Sequence, residues 1–144
     1  MARTLLITGG SGYFGSILAE RALAAGDRVR IFDLNPPLPP AEVADRQEYV
    51  AGDVRDLTAL REASEGVDVV LNNVAQVPLA KDRDLFWSVN VAGTANVLVA
   101  ARDRGVAKVV HTSSSAIFGI PESNPVTEDT PGRPLEAYGR AKLE

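Results

Sequence analysis

The sequence has no cysteine, one histidine, one methionine and one tryptophan, and aromatic residues fill only 6% of its 144 positions. Without cysteine there is no disulfide, no thiolate zinc site and no cysteine nucleophile. A single histidine excludes a histidine-rich metal centre, so no metal is expected. No apolar run approaches the roughly 20 residues that a membrane-spanning helix needs. The apolar stretch after Met1-Ala2-Arg3-Thr4 is too short for a signal peptide, which makes the cytoplasm the expected compartment and a membrane an unexpected partner. A basic surplus is missing too: 15 Lys and Arg stand against 19 Asp and Glu, a net charge of −4. Nucleic-acid binders usually carry the opposite imbalance, so no nucleic acid is expected. The rest of the composition, 45% hydrophobic and 24% charged, is that of one ordinary globular domain.

Short apolar runs alternate with helical patterns along the whole chain. Leu5-Leu6-Ile7-Thr8 ends in glycines and reads as a buried strand. A helix follows from Gly12, with apolar residues at Phe14, Ile17, Leu18, Ala22 and Ala25 and a stop at Gly26. Strands are expected at 28–33, 48–51, 68–71 and 107–112. Asp56 is placed to cap a helix running to about Glu65, with Gly66 ending it. Asp82 or Asp84 opens a long helix that ends near Arg104-Gly105, and a last helix begins near Ala137. Four of the nine prolines crowd between Asn35 and Pro40, and four more between Pro121 and Pro134, so both stretches read as loops; the first also fits a polyproline ligand. The alternation predicts an α/β, Rossmann-like, doubly wound parallel sheet with strand order 3-2-1-4-5.

Gly9, Gly12 and Gly15 are spaced Gly-x-x-Gly-x-x-Gly between the first strand and the first helix. A dinucleotide pyrophosphate needs bare backbone beside it and a helix N-terminus pointing at it. Side chains at Gly9 and Gly12 would block that approach, and Gly15 would let the helix pack closely on the sheet. The same spacing also serves a tight turn with no ligand. Asp33 closes the second strand, 18 residues after Gly15. A carboxylate there can accept both adenosine ribose hydroxyls and would repel a 2′-phosphate, favouring NAD over NADP; a surface aspartate before a loop is the other reading. Asp53 follows the third strand, where it can meet an adenine amino group or cap its own loop.

Tyr138 and Lys142 stand at i and i+4, on one helix face. An ammonium beside a phenol favours phenolate, and such a tyrosine can take a proton from an alcohol as hydride leaves its carbon. Upstream, Thr112-Ser113-Ser114-Ser115 follows the fifth strand, at the edge where open α/β sheets bind ligands. His111 reads as core, and Trp87 as packing.

These segments together resemble the extended short-chain dehydrogenase/reductase family, the NAD-dependent epimerase/dehydratase group. The carriers are TGGSGYFG at 8–15, the Asp33 strand end, GDV at 52–54, NVAQVP at 73–78, SVNVAGT at 88–94, SSSAIFG at 113–119 and YGRAK at 138–142, all in family order. The resemblance implies that Tyr138 is the acid/base, that Lys142 holds the nicotinamide ribose and tunes Tyr138, and that Ser114 is the catalytic hydroxyl, with Ser113 and Ser115 as alternates. Asn90 matches an asparagine that often completes a tetrad with these three. A mid-helix asparagine is a poor helix former, which fits a special role, and a purely structural Asn90 is the equal alternative. NAD is the implied cofactor, held by Gly9, Gly12, Tyr13, Phe14, Gly15, Asp33, Asp53, Val54, Ala75 and Lys142.

Departures from the family narrow the expected chemistry. Sugar-nucleotide dehydratases of this group carry Asp-Glu after the catalytic hydroxyl; here the residues are Ser115-Ala116. Phe118 replaces the usual tyrosine before Gly119, and Asn72 stands where many members have histidine. The expected activity is NAD-dependent 4-epimerisation of a nucleotide sugar by transient oxidation of a secondary alcohol, in a homodimeric parent enzyme. An alcohol dehydrogenase or ketone reductase of the hydroxysteroid or flavonoid type is the alternative, and a non-catalytic NAD-sensing scaffold is the alternative from another class. Family members run to roughly twice this length, so residues 1–144 read as the NAD-binding domain of a longer enzyme, cut before a sixth strand and a substrate domain.

Overall fold

Leu5, Leu6 and Ile7 run through the middle of a five-stranded parallel sheet in the computed structural model, which describes residues 2–37, 45–76 and 83–144. The strands are β1 (Thr4–Thr8), β2 (Arg28–Asp33), β3 (Gln47–Ala51), β4 (Val69–Asn72) and β5 (Lys108–His111), in the order β3-β2-β1-β4-β5. The expected order and all five strands are present, with boundaries within a residue of expectation. Successive strand side chains point to opposite faces. Leu5, Ile7, Val29 and Ile31 therefore meet Ala19, Ala22 and Leu23 of α1 (Tyr13–Ala24) on one side. Leu6, Phe32 and Val70 meet Leu60 of α2 (Leu57–Ala63) and Val97, Ala100 and Ala101 of α4 (Thr94–Asp103) on the other. Helices cover both faces of the sheet around β1 and β2, whereas Val110 of β5 remains exposed.

Two carboxylates pin the start of β1. Asp27 accepts from the Arg3 backbone N–H at 3.0 Å and from its guanidinium at 2.7 Å, and Asp68 accepts from the Thr4 N–H at 2.7 Å. The Arg3 hydrogen bonds hold the Asp27 carboxyl below the usual carboxylate range. Asp56 caps α2 as expected, accepting from the N–H groups of Thr58 and Ala59. Gly26 and Gly66 adopt left-handed backbone just past α1 and α2, the expected helix stops.

The expected single long helix is instead three pieces. α3 (Arg83–Trp87), with Asp84 in its first turn, leads into a π-helical stretch at Ser88–Gly93, and α4 follows directly. Asp82 lies outside the described residues. Three contacts accompany the wider turn. The Ser88 hydroxyl donates to the Leu85 carbonyl at 3.0 Å and the Thr94 hydroxyl to the Asn90 carbonyl at 2.8 Å. A Cβ at Gly93 would come within 2.6 Å of Val54 Cγ2, so glycine lets the widened turn seat on that side chain. The 121–134 stretch forms no helix or strand, as its prolines demand. Residues 38–40 of the first proline loop, and Val77-Pro78, lie outside the described residues. A 3₁₀ turn at Ser115–Phe118, unexpected from the sequence, precedes that stretch, and α5 spans Ala137–Leu143. No helix among the described residues is long and apolar enough to cross a membrane.

Candidate active site

The glycine turn is closed by its own backbone. The Gly9 N–H donates to the Phe32 carbonyl at 2.9 Å, and the Gly12 N–H to the Gly9 carbonyl at 3.2 Å. Gly9 has a φ of +69°, a region that side chains rarely adopt. A Cβ at Gly15 would collide with the Gly9 carbonyl oxygen and lie 2.7 Å from Gly10 Cα. Gly15 therefore serves close packing of α1 on the turn itself, rather than on the strands. Gly12 is different: a Cβ there would meet only Gly9 O, at 3.3 Å. That one carbonyl is the only atom that crowds position 12, and beyond it the space is a cleft.

That cleft has a volume of about 510 Å³ and is lined by Gly9, Gly12, Asp33, Asp53, Val54 and Ala75 among others. α1 begins at Gly12 with no side-chain cap, so its first backbone N–H groups remain open to an anion. Bare backbone, an uncapped twelve-residue helix and a cleft between strand ends fit a dinucleotide. The Tyr13 and Phe14 side chains, in contrast, are exposed and do not line the cleft; only their backbone belongs to the helix start.

Asp33 ties the end of β2 to the glycine turn. Its Oδ2 accepts from the Ser11 N–H at 3.1 Å and its Oδ1 from the Asn35 N–H at 3.0 Å. Each carboxylate oxygen offers two acceptor positions, so each keeps one. Asp53 is clasped by Arg55, whose Nε lies 3.0 Å from both carboxylate oxygens and whose second guanidinium nitrogen lies 2.5 Å from Oδ2. Those hydrogen bonds hold the Asp53 carboxyl below the usual range. Val54 is buried, and the carbonyls of Val54 and Arg55 both accept from the Asn96 amide at 3.1 Å.

Past β5, Ser114 is half-buried, and its Oγ accepts from the Ala116 N–H at 3.2 Å, capping the 3₁₀ turn. Ser113 and Ser115 are exposed. A Cβ at Gly139 would collide with the Ala116 carbonyl, so that glycine lets α5 rest directly on the turn that Ser114 heads. Tyr138, the neighbour of Gly139, is half-buried, its ring edge-on to Phe86 of α3 with centroids 6.4 Å apart. Trp87 packs edge-on to Phe86 at 6.0 Å and stays 38% exposed. Lys142, one helical turn on from Tyr138, is buried, and its Nζ donates to the Thr112 carbonyl at 2.9 Å. Burial pushes the Lys142 ammonium down from its ordinary value.

Behind these groups lies a buried polar chain that sequence reasoning left without a role. The Thr8 hydroxyl donates to Asn72 Oδ1 at 2.6 Å, and Asn72 Nδ2 lies 3.1 Å from His111 Nδ1 and 3.4 Å from Thr94 Oγ1. With the hydroxyl on its oxygen, the Asn72 amide presents N–H to the imidazole, and Nδ1 serves as acceptor. His111 is only half-buried; burial and the nearby Lys142 ammonium lower its pKa. Asn90 is buried with both ends of its amide on the backbone of Gln76. In this structure it braces the cleft wall rather than presenting a free amide to the Ser114–Tyr138 region. Asn96, Gly139 and Arg55 also escaped sequence reasoning. The one available signal was the helix-disfavouring asparagine at 96, of the kind already noted at 90.

Comparison with known proteins places these motifs in context. The family model described as "NAD dependent epimerase/dehydratase family" matches residues 5–144. The protein y4nG of Sinorhizobium fredii is 52% identical over 143 residues, covering 99% of this chain and 35% of its own length. The UDP-glucose 4-epimerase of Streptomyces lividans is 34% identical over 149 residues, covering 99% of this chain and 45% of the enzyme. Among solved structures, a short-chain dehydrogenase/reductase superfamily protein from Agrobacterium tumefaciens with bound NAD superposes with a TM-score of 0.87 at 38% identity, covering 97% of this chain and 42% of that one. The chain thus spans less than half the length of these relatives.

Proposed function

This chain belongs to the NAD-dependent epimerase/dehydratase family, and we propose that it forms the dinucleotide-binding and acid/base unit of an NAD-dependent 4-epimerase acting on a nucleotide sugar. The observation that carries the reading is the seating of α5 on the 3₁₀ turn through Gly139, which joins Tyr138 and Lys142 to Ser114 on one rigid contact. The cofactor reading is supported by the cleft at Gly12, by the uncapped start of α1 and by the acceptor positions left on Asp33.

NAD, when bound, supplies a reversible hydride acceptor for the carbon bearing a secondary alcohol. The chain's own residues handle the proton and the oxygen. Tyr138 takes the hydroxyl proton through its phenol oxygen and returns it when the carbonyl becomes an alcohol again. Ser114 hydrogen-bonds the same substrate oxygen in both directions. Lys142 has three N–H donors and spends one on Thr112, which leaves two for a ribose. Asp33 accepts from the adenosine ribose hydroxyls and repels a 2′-phosphate. Gly9, Gly12 and the backbone of Tyr13 and Phe14 carry the pyrophosphate, with Asp53, Val54 and Ala75 around the adenine end of the cleft. The partially exposed Leu98 of α4 and Leu143 of α5 fit the pairing of two copies into a homodimer.

The test has two parts. Calorimetric titration compares NAD with NADP. A lost hydrogen bond to a charged group costs about 1.5–3 kcal/mol, so NAD binds at least tenfold tighter. Equal or tighter NADP binding removes the Asp33 assignment. Incubation with NAD and UDP-galactose then separates the reaction types: an epimerase interconverts UDP-galactose and UDP-glucose without net accumulation of NADH, and steady NADH release points to a dehydrogenase instead.

A further inference from the structure

Two carboxylates, Asp33 and Asp53, line one cleft of about 510 Å³, and a dinucleotide brings negative phosphates to the same place. Like charges in a partly desolvated cleft repel, and the cost grows as water leaves. Only one of the two carboxylates has a cationic partner: Arg55 forks both oxygens of Asp53, while Asp33 is held by the backbone N–H groups of Ser11 and Asn35. The fork does little for folding, since the Arg55 side chain is 46% exposed and such pairs contribute little. Nor does it hold the loop. The Asn96 amide binds the carbonyls of Val54 and Arg55, and the Asp56 N–H donates to the Asp53 carbonyl at 2.9 Å. The backbone is fixed without the guanidinium, so the guanidinium's remaining work is on the carboxylate.

We propose that Arg55 is a positioning residue for dinucleotide binding: its backbone N–H already holds Asp53 Oδ1 at 2.9 Å, and its guanidinium fork offsets the carboxylate's charge, so that a cleft already holding Asp33 admits an anionic ligand. The proposal rests on the reading of this cleft as the dinucleotide site. It separates the two carboxylates by task. Asp33 keeps its charge to select against a 2′-phosphate, and Asp53 is neutralised as a pair. Lysine at 55 keeps the charge but not the planar two-nitrogen fork, so it recovers part of the effect.

The experiment titrates NAD into the folded chain and its variants by calorimetry at low and high salt. Arg55→Met is expected to weaken NAD binding about three- to tenfold at low salt, with the loss shrinking in high salt as unbalanced charge is screened. Adding Asp53→Asn to Arg55→Met removes the uncompensated charge and recovers most of that loss, and Arg55→Lys falls between wild type and Arg55→Met. Unchanged affinity in Arg55→Met overturns the proposal. So does a loss that persists in high salt and is not recovered by Asp53→Asn, which marks simple damage to the loop. A folded wild-type chain that binds no NAD at all defeats the dinucleotide reading itself, and this proposal with it.

Discussion

Asn90 holds both backbone polar groups of Gln76, its Oδ1 accepting from the Gln76 N–H at 2.8 Å and its Nδ2 donating to the Gln76 carbonyl at 3.1 Å. The π-helical turn that carries Asn90 is thereby stapled to the loop leaving β4, which forms one wall of the cleft. Asn90→Leu is close in volume but strands a backbone donor and an acceptor in a partly buried place. That costs about 1–3 kcal/mol, to be read from urea denaturation. Because the wall belongs to the cleft, NAD affinity drops with it. A variant as stable as wild type would show that water replaces the amide and that the staple is dispensable.

The glycines at 12 and 15 separate binding from folding. Gly12→Val places a branched side chain beside the cleft, its Cβ 3.3 Å from the Gly9 carbonyl oxygen, so thermal stability falls less than in Gly15→Ala and NAD binding disappears. Gly15→Ala drives a methyl group into the backbone of Gly9 and Gly10, an overpacking expected to cost about 1–3 kcal/mol. Melting curves and NAD titrations on the two variants check both halves. Retained NAD binding in Gly12→Val would reduce the loop to a turn.

The sheet was legible because its signals are local. β2 has the same limits in sequence and structure, since alternation from Arg28 to Asp33 and the flanking glycine and proline residues mark both ends. Asp56 and Gly66 were legible for the same reason. The π-helical turn was not, because a 3.6-residue pattern read over twenty positions cannot register one inserted residue. Two of the contacts that seat it, Gln76 with Asn90 and Val54 with Gly93, lie 14 and 39 positions away. Asn72 and His111 are register partners on neighbouring strands, and their contact follows from the sheet order rather than from either residue's surroundings in sequence. In the site, the glycine turn, Asp33, Tyr138 and Lys142 could be read from spacing. The groups that position them could not: Gly139 acts on Ala116, and Asn96 acts on Val54 and Arg55, each across a long gap in the chain.

His111 makes stability depend on pH in a defined window. Burial first, and the Lys142 ammonium second, lower its folded pKa below the ordinary 6.5. Between the two values the unfolded chain binds more protons than the folded one, so stability falls as the pH drops from about 6.5 toward the folded value. Above about 6.5 this contribution is fully present. Protonation also sets an N–H on Nδ1 against the Asn72 amide. His111 is the chain's single histidine, and ordinary carboxylates titrate below about pH 5. His111→Asn, whose Oδ1 takes the place of Nδ1 as an acceptor for Asn72, therefore flattens the stability profile between pH 6.5 and about 5. An unaltered slope, measured by urea denaturation at several pH values, would place its origin elsewhere.

Tyr138 and Lys142 share a helix face and should separate cleanly in mutation. Tyr138→Phe keeps the ring that packs edge-on to Phe86, so folding is preserved. On the proposed reading the lost phenol oxygen meets substrate rather than dinucleotide, so NAD affinity stays nearly unchanged. If the proposed 4-epimerase activity holds, interconversion of UDP-galactose and UDP-glucose drops by about two to four orders of magnitude, the range for losing a positioned acid/base. Lys142→Met acts on both properties. It leaves the Thr112 carbonyl without its donor but also removes a charge that burial disfavours, and these opposing effects keep the net stability change within about 1 kcal/mol. On the proposed reading, affinity for NAD falls because the ribose loses its donors, and turnover falls with it. Near wild-type turnover in Tyr138→Phe would move proton transfer to another group. Unchanged NAD affinity in Lys142→Met would leave the ammonium with a purely structural task, holding Thr112 at the end of β5.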